Sequence, residues 1–530
     1  MKKFIVLLAL AASCIACSKE GLLPWGRQNS GEEELSHDMI VLGEQLQDPY
    51  SVDNMTKALE RVAPAGAGRT TLDPTDFYVR FLPSDDSQLQ TLMDKGLELL
   101  DHPLDYRIVK DGDWYHDPSI PEGSITWQYA VVPVGFEFPK GIRYERLDDC
   151  YIAEHDPGTK SDGIDWDAVE LEAFRMTGNL DMMSPATKDG EEKTSGQPQG
   201  RISIVDPQFD EEPIGVKGVK VCCNVFVKVG TCYTDEEGYY KMSRSFQSKV
   251  RYRLMFQNVK GFCQGLNLIL VPASMSALGK HSHEGLNLTV DGNSDSRLFM
   301  RCVVNNAGYD YFQEAQAPGS SYTVPPKDFR IWNLGFWGGE MPLFMHHGTI
   351  IETYDPISSA LGEYTPLLKI LPPDVVLGQK GNDSYASIYA TALHAFAHGG
   401  HFSLAGKEWW GNYAEYMLKS LIGSSVHSPH GSRGDDGSNY CEIAEVFAFY
   451  CQSVLYRMHY KESSAMFGTE YWFTPQLLMY LDERGLGIDK LAALFTADVT
   501  DMETLHNKLL SFYPAFKVVI NEAFIRYGEQ

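Results

Sequence analysis

Alternation of apolar and polar positions along the chain is strongest between residues 219 and 229. Valine or cysteine occupies every second position there, which is the pattern of a half-buried strand. The run 252–256 alternates in the same way after a polar turn at 234–240. Other runs rich in apolar and aromatic residues predict strands at 77–82, 97–100, 125–134, 297–304, 329–332 and 373–378.

The segment 384–398 has the composition of a helix. It holds good helix formers without glycine or proline, and Asp383 or Ser384 can cap its start. We expect Gly399 and Gly400 to end it, because glycine tolerates the left-handed conformation that terminates many helices. Further helices are predicted from the Ser84-Asp85 cap to about Lys95, at 413–421, from 441 onwards and within 471–530.

Two histidines of the 384–398 helix, His394 and His398, are four residues apart. They therefore lie on one face, one turn apart, which is how a helix offers two imidazoles to one metal ion. His401 is expected beyond the helix end, where it is either a rival ligand or a residue that supports the ligands. Adjacent side chains diverge, so we interpret His346 and His347 as surface or core residues and not as ligands.

The helix predicted from residue 441 carries a carboxylate in apolar surroundings. Glu445 is flanked by alanine, valine and phenylalanine. A buried carboxylate is costly unless it is paired or coordinates a metal, so Glu445 needs such a partner. Glu442, one turn earlier, is the reserve candidate.

Composition limits the possible partners. A chain of 530 residues predicts two to four domains. The formal net charge of −26 argues against nucleic acid and against anionic lipid as an electrostatic partner. Beyond the N-terminal leader, no stretch reaches the roughly 18 apolar residues that a membrane helix needs.

The first 17 residues have the pattern of a signal peptide, with Lys2 and Lys3 before an apolar run. The junction Ile15-Ala16-Cys17 resembles the end of a bacterial lipobox, although Cys14 stands where leucine is usual. The resemblance implies cleavage before Cys17, lipidation of that cysteine and anchoring in the outer membrane. Cleavage by an ordinary signal peptidase is the alternative. Residues 18–36 then form a flexible tether.

Eight cysteines follow Cys17, and their spacing indicates neither a dense disulfide framework nor a Cys-x-x-Cys metal site. Cys441 and Cys451 are expected on one helix. Ten residues of helical rise place them about 15 Å apart, which is too far for a disulfide.

The predicted fold class is multidomain α+β. Residues 37–185 are expected to form an N-terminal α/β domain, and 186–200 are a polar linker. The strands of 198–263 and the Thr-Asp-x-x-Gly-Tyr turn at 234–239 resemble the carboxypeptidase regulatory-like (transthyretin-like) β-sandwich. A plain immunoglobulin-like sandwich is the alternative, and neither implies catalysis. Residues 295–530 form the remaining domain, with a mostly helical second half.

The segment His394-Ala-Phe-Ala-His398 resembles the His-Glu-x-x-His helix of zincin metallopeptidases, in particular that of Bacteroidetes-type lipoproteins. The resemblance implies a zincin-like domain over 295–530 and Zn²⁺ as cofactor, held by His394 and His398. The gluzincin-like pattern implies Glu445 as third ligand. The general-base glutamate of the motif is replaced by Ala395, and Glu442 is the one substitute base we can name. The resemblance also implies that the strand 373–378 is the edge along which substrate lies.

Three functions follow as hypotheses. The first is a zinc metallopeptidase impaired by the loss of its general base, which is worth about 10²–10⁴ in rate. The second is a pseudoenzyme, a non-catalytic surface lipoprotein that binds peptides or proteins. The third is glycan capture, suggested by an aromatic content of 12%. The expected partners are peptides or proteins and a membrane reached through the lipid anchor, without nucleic acid.

Overall fold

The computed structural model of the chain describes residues 39–63, 71–121, 124–160, 162–183, 195–208, 212–265, 275–292, 296–320, 322–334, 339–341, 373–378, 384–423 and 430–528. The predicted signal peptide with Cys17, the tether, most of the linker and His346-His347 lie outside these residues. The described part is multidomain α+β, as predicted, with sheets in its first half and helices dominating after residue 384.

The described residues between 39 and 183 form two small antiparallel sheets, three α-helices and three short 3-10 helices. The elements are β1 (Val41–Gln45), α1 (Val52–Val62), β2 (Asp76–Leu82), α2 (Asp86–Asp94), β3 (Tyr106–Lys110), β4 (Gln128–Pro133), β5 (Arg143–Cys150) and α3 (Trp166–Met176). Strand β1 pairs with β3, and β2 lies between β4 and β5.

Most sequence predictions for this region are confirmed. The strand at 77–82 is β2, and the Asp85 carboxylate caps α2 by accepting the backbone N–H of Gln88 at 2.9 Å. The strand predicted at 125–134 is present from Gln128 onwards. The strand predicted at 97–100 is wrong, because in that segment only Leu100 forms a β-bridge.

Twelve strands in the described residues between 195 and 378 form two larger sheets. They are β6 (Gln199–Ile204), β7 (Ile214–Gly215), β8 (Val219–Val225), β9 (Lys228–Tyr233), β10 (Tyr239–Lys241), β11 (Val250–Asn258), β12 (Phe262–Gln264), β13 (Met275–His281), β14 (Leu288–Val290), β15 (Phe329–Leu334), β16 (Gly339–Met341) and β17 (Val375–Gly378). The smaller sheet has the order β10-β6-β14, with β7 on β6. The larger has the order β16-β17-β15-β12-β11-β8-β9, with β13 on β11.

The alternating segment 219–229 is a hairpin and not one strand. Phe226, at a φ of 46°, turns the chain between β8 and β9. All seven residues of β8 are buried, so both faces of this interior strand are covered. The predicted single half-buried strand is therefore wrong. Its polar position Lys220 is satisfied inside the protein by an ion pair with Glu98 at 2.5 Å.

The two sheets supply the strands that the sequence predicts for a β-sandwich over 198–263. Residues of both sheets, such as Ile202 and Cys223, share one buried cluster. The pairing partners continue past residue 263, however, because β13 joins β11 and β14 joins β6. The larger sheet also continues into the C-terminal region, since β12 pairs in parallel with β15. The proposed domain limits remain predictions.

Residues 297–304 are helical, which corrects the strand predicted there. They belong to α4 (Ser296–Ala315), a helix with fifteen of its twenty residues buried. A helix that is covered all round has no amphipathic period, and a short apolar run of it cannot be told from a strand.

The strands predicted at 329–332 and 373–378 are confirmed as β15 and β17. The expected edge position of β17 is wrong. This strand pairs in parallel with β15 on one side and antiparallel with β16 on the other. Among the described strands, β16 is therefore the outermost at this end of the sheet.

The C-terminal region is built on two long antiparallel helices. His394 on the first contacts Gln452 on the second, and Trp409 contacts Tyr440, so the two chains run in opposite directions. Shorter helices close the region, as predicted. The helices are α5 (Tyr385–Gly423), α6 (Ser438–Tyr460), α7 (Gln476–Asp482), α8 (Ile488–Leu491), α9 (Met502–Phe512) and α10 (Lys517–Tyr527).

The predicted glycine stop after His398 is wrong. Helix α5 continues through Gly399 and Gly400, and its helical dihedrals are first interrupted at Gly406, which has a φ of 81°. The two glycines instead allow neighbouring segments to pack closely against α5. A Cβ on Gly399 would lie 2.8 Å from the ring of Phe329, and one on Gly400 would lie 2.6 Å from the carbonyl oxygen of Thr323.

Two further sequence predictions concern cysteines and membrane helices. Cys441 and Cys451 both lie on α6, and the eight cysteines in the described residues are all free thiols. Within the same residues, no helix combines the length and apolar character required to cross a bilayer.

The close packing around Gly400 predicts that a larger side chain at this position destabilises the protein. Gly400→Ala should lower the free energy of unfolding by about 1–3 kcal/mol, because the methyl group would collide with Thr323 and the Tyr311 hydroxyl. Gly135→Ala is the control, since nothing lies within 4 Å of a Cβ there. Thermal and denaturant unfolding followed by circular dichroism would measure both, and an unchanged Gly400→Ala protein would contradict the packing.

Candidate metal centre

Helices α5 and α6 bring the side chains of His394, His398 and Glu445 together. The two histidine Nε2 atoms are 3.0 Å apart. Glu445 places Oε2 at 3.3 Å from Nε2 of His394 and Oε1 at 3.6 Å from Nε2 of His398. All three side chains are buried.

Two of these separations match those around one small cation, and the histidine–histidine separation is slightly shorter. Metal–ligand bonds of about 2.0–2.2 Å in a tetrahedron separate neighbouring ligand atoms by about 3.3–3.6 Å. The observed distances span 3.0–3.6 Å. Among the described residues, no fourth His, Cys, Asp or Glu joins this group. The three residues could therefore hold a metal ion.

Two neighbours orient the candidate ligands. Nδ1 of His394 lies 3.1 Å from Oε1 of Gln452, and an N–H donated there leaves the Nε2 lone pair directed at the other two ligands. The Tyr413 hydroxyl donates a hydrogen bond of 2.8 Å to Oε1 of Glu445. Such outer contacts fix ring tautomer and carboxylate orientation in metal sites.

Glu445 is a buried charge with incomplete hydrogen bonding. Its burial raises the carboxyl pKa, but His430, His398 and His394 together outweigh burial and hold the pKa well below its usual range. In the described part of the chain its ion-pair partners are all histidines. Within the described residues, Oε2 of Glu445 accepts no hydrogen bond. An ionised carboxylate in this position is stabilised strongly by a cation.

A second set of side chains lies beside Glu445 and was not predicted from the sequence. His430 places Nδ1 at 3.8 Å from Oε1 of Glu445 and at 4.0 Å from Sγ of Cys441. His430, Cys441 and Glu445 form a second group whose ligand atoms lie within 4.8 Å of one another. In the sequence, His430 lies in a stretch rich in glycine and serine, and the spacing of Cys441 from the other cysteines indicates no metal site. The four-residue spacing of Cys441 and Glu445, which places both on one face of a helix, is the sequence signal that indicates this second group.

His401 belongs to the helix and does not join the ligand group. Its ring is surrounded by Trp409, Trp410, Phe447 and Phe495, with ring centroids 4.5–6.1 Å away. Burial, helped by the charge of neighbouring His398, lowers the pKa of His401 to about 3, so its ring is neutral. His401 packs in the aromatic core and is not a ligand in this arrangement.

The two residues considered for general-base chemistry are also located. Ala395 is fully buried within α5. Its side chain is a methyl group, so the helix has no proton acceptor at that position. Glu442 accepts a hydrogen bond of 3.1 Å from Nη2 of Arg433 and is not a member of the ligand groups. Its action as a displaced base remains a prediction.

Comparison of the chain with protein-family models, curated proteins and solved structures finds no match. The likeness of 394–398 to the zincin helix therefore remains an expectation from sequence. What the structure establishes is the coarser statement, that two buried groups of side chains sharing Glu445 are arranged as metal ligands.

Proposed function

We propose that this protein is a lipid-anchored protein of the bacterial outer membrane whose C-terminal region binds zinc in a degenerate metallopeptidase site. The site binds peptides or proteins and hydrolyses them slowly or not at all. It would hold the ion through His394, His398 and Glu445.

One observation carries the proposal. Two imidazoles and an ionised carboxylate converge in a buried site at separations of 3.0–3.6 Å, with Gln452 and Tyr413 orienting two of them. Two histidine lone pairs at 3.0 Å repel each other unless a proton or a cation lies between them. Two nitrogens and one carboxylate oxygen with an open fourth position form the ligand set of catalytic zinc sites, which supports zinc over harder cations.

The catalytic part of the proposal depends on Ala395. Bound zinc lowers the pKa of a coordinated water and polarises a substrate carbonyl. A peptidase also needs a group that takes the proton of that water and passes it to the leaving amine. The methyl group of Ala395 cannot accept a proton. The chain would therefore retain binding of a carbonyl or carboxylate at the open position while losing most of the hydrolytic rate.

The choice of ligand follows from the same site. A group that coordinates through a carbonyl or carboxylate oxygen suits the open position, and peptides carry both. This supports peptide or protein binding over glycan capture, which stays the alternative for the protein as a whole. Attachment to the membrane is supported by the Lys2-Lys3 start, the short apolar run and the Ile-Ala-Cys17 junction.

The zinc site makes a direct prediction about metal content. The purified protein should contain about one zinc per chain by mass spectrometry, and a chelator should lower its unfolding temperature reversibly. A ligand at 1,000 times its Kd stabilises a protein by about 4 kcal/mol. His398→Ala should lose the metal, because it removes one of three ligands.

The control for this experiment is His506→Ala, which removes a histidine that bonds Asn521 outside the site. It should keep the zinc. His398→Ala leaves the buried Glu445 carboxylate without one of its partners and can therefore unfold the chain. Removal of zinc from the native protein with a chelator, followed by re-addition, is the independent test. A native protein without zinc, and without a thermal response to added zinc, would refute the proposal.

Restoring the missing carboxylate should restore chemistry. Ala395→Glu, loaded with zinc, is expected to hydrolyse a casein or peptide library about 10²–10⁴ times faster than the native protein. Ala395→Gln is the matched control, because it has the same size and cannot act as a base. Equal rates in both variants would show that the site is not arranged for hydrolysis. Fast zinc-dependent cleavage by the native protein would point to a displaced base, and Glu442→Gln would test it.

The membrane anchor is tested separately. A clickable fatty acid supplied to the bacterium should label the native protein, and the Cys17→Ser protein should carry no label. Fractionation should place the labelled chain in the outer membrane. Label that persists on Cys17→Ser would contradict lipidation at this residue, whereas an unlabelled native protein would favour cleavage by an ordinary signal peptidase.

A further inference from the structure

His430, Cys441 and Met417 form a sulfur-containing cluster beside Glu445, whose Oε1 lies 3.8 Å from Nδ1 of His430. The Sγ atom of Cys441 lies 4.0 Å from Nδ1 of His430 and 4.0 Å from Sδ of Met417. All three residues are buried, with exposures of 9%, 0% and 5% for His430, Cys441 and Met417. The Cys441 thiol thus has an imidazole and a thioether as neighbours in the interior.

The spacing fits a cation with three ligands. Metal–sulfur bonds of about 2.3 Å and metal–nitrogen bonds of about 2.0–2.1 Å in a trigonal plane separate the ligand atoms by about 3.8–4.0 Å. Both measured separations are 4.0 Å. Ligand atoms in the neighbouring zinc group are closer, at 3.0–3.6 Å, as expected for nitrogen and oxygen in a tetrahedron.

The position of His430 is fixed by the chain around it. Its backbone carbonyl accepts hydrogen bonds from the Tyr416 hydroxyl at 2.8 Å and from Nε1 of Trp472 at 3.0 Å. Its ring packs edge-on against Tyr471 and Phe473. Tyr416 and Met417 are consecutive in α5, so the same stretch of helix holds both the histidine and the thioether.

From this geometry we infer that His430, Cys441 and Met417 are a second metal site, selective for a soft monovalent cation, the cuprous ion. Thiolate sulfur and imidazole suit both Cu(I) and zinc, but the thioether of Met417 suits Cu(I) and is not among the usual ligands of zinc. The inference goes beyond the proposed zinc site and does not require it to be filled.

Charge balance favours a monovalent ion. Cys441 is fully buried, and its Sγ atom lies 4.0 Å from Nδ1 of His430. Binding of Cu(I) forms the copper–sulfur bond and releases the thiol proton to solvent. The resulting copper–thiolate pair is neutral. A neutral pair is far cheaper to bury than an isolated thiolate or an isolated cation.

The test uses the full-length protein under anaerobic conditions, with Cu(I) supplied by a coloured Cu(I) chelator as competitor. The native chain should withdraw one Cu(I) from the chelator. Cys441→Ser and Met417→Leu should each bind Cu(I) at least about tenfold more weakly, as expected when a ligand is lost. The matched controls are Cys451→Ser, a buried thiol ten residues further along α6, and Met458→Leu, an exposed methionine. Both should bind as the native protein does.

Zinc content separates this inference from the proposed function. Cys441→Ser and Met417→Leu should keep their zinc, and His398→Ala should keep its Cu(I) affinity. X-ray absorption at the copper edge should show sulfur neighbours in the native protein. If Cys441→Ser does not fold, the Cu(I) affinity of Met417→Leu is the measurement that tests the inference. Absence of Cu(I) binding by the native chain, equal binding by the native and Met417→Leu proteins, or loss of Cu(I) binding only in His398→Ala would each overturn the inference.

Discussion

The burial of the Glu445 carboxylate is the constraint on which the C-terminal region depends. An ionised carboxylate removed from water must be compensated by nearby positive charge or by several hydrogen bonds. Helix α6 places it against α5, where His394, His398 and Tyr413 all reach it. The antiparallel pairing of the two helices is therefore needed for more than apolar packing. Any displacement of one helix along the other would separate the carboxylate from the groups that stabilise it.

The sequence predicts this centre because its main signals are local. The i, i+4 spacing places His394 and His398 on one face whatever the tertiary structure, and a lone glutamate in an apolar helix indicates a buried partner. The contacts of Gln452 and His430 could not be predicted. Gln452 is polar on a long helix without a distinguishing pattern, and the contact of His430 with Glu445 joins residues that are fifteen positions apart in the sequence.

The errors in the fold have a common physical origin. The strand predicted at 297–304 rests on a short apolar run, and the half-buried strand predicted at 219–229 rests on alternation. Both patterns identify an element reliably only where one of its faces meets water. Helix α4 and strand β8 are covered on both sides, so their patterns carry no such information. The helix end predicted at Gly399 and Gly400 rests on the conformational freedom of glycine. Their actual role is small size, which depends on Phe329 and Thr323 far away in sequence.

The glycine pair inside α5 has a consequence for the order of events during folding. Each glycine in a helix interior costs about 1 kcal/mol relative to alanine, so the segment around His398 is a poor helix by itself. It becomes helical when Phe329, Thr323 and Tyr311 close over it. The part of α5 that begins at Gly399 therefore depends on tertiary contacts for its helical form. We expect it to become ordered together with β15 and α4, which contribute Phe329 and Tyr311.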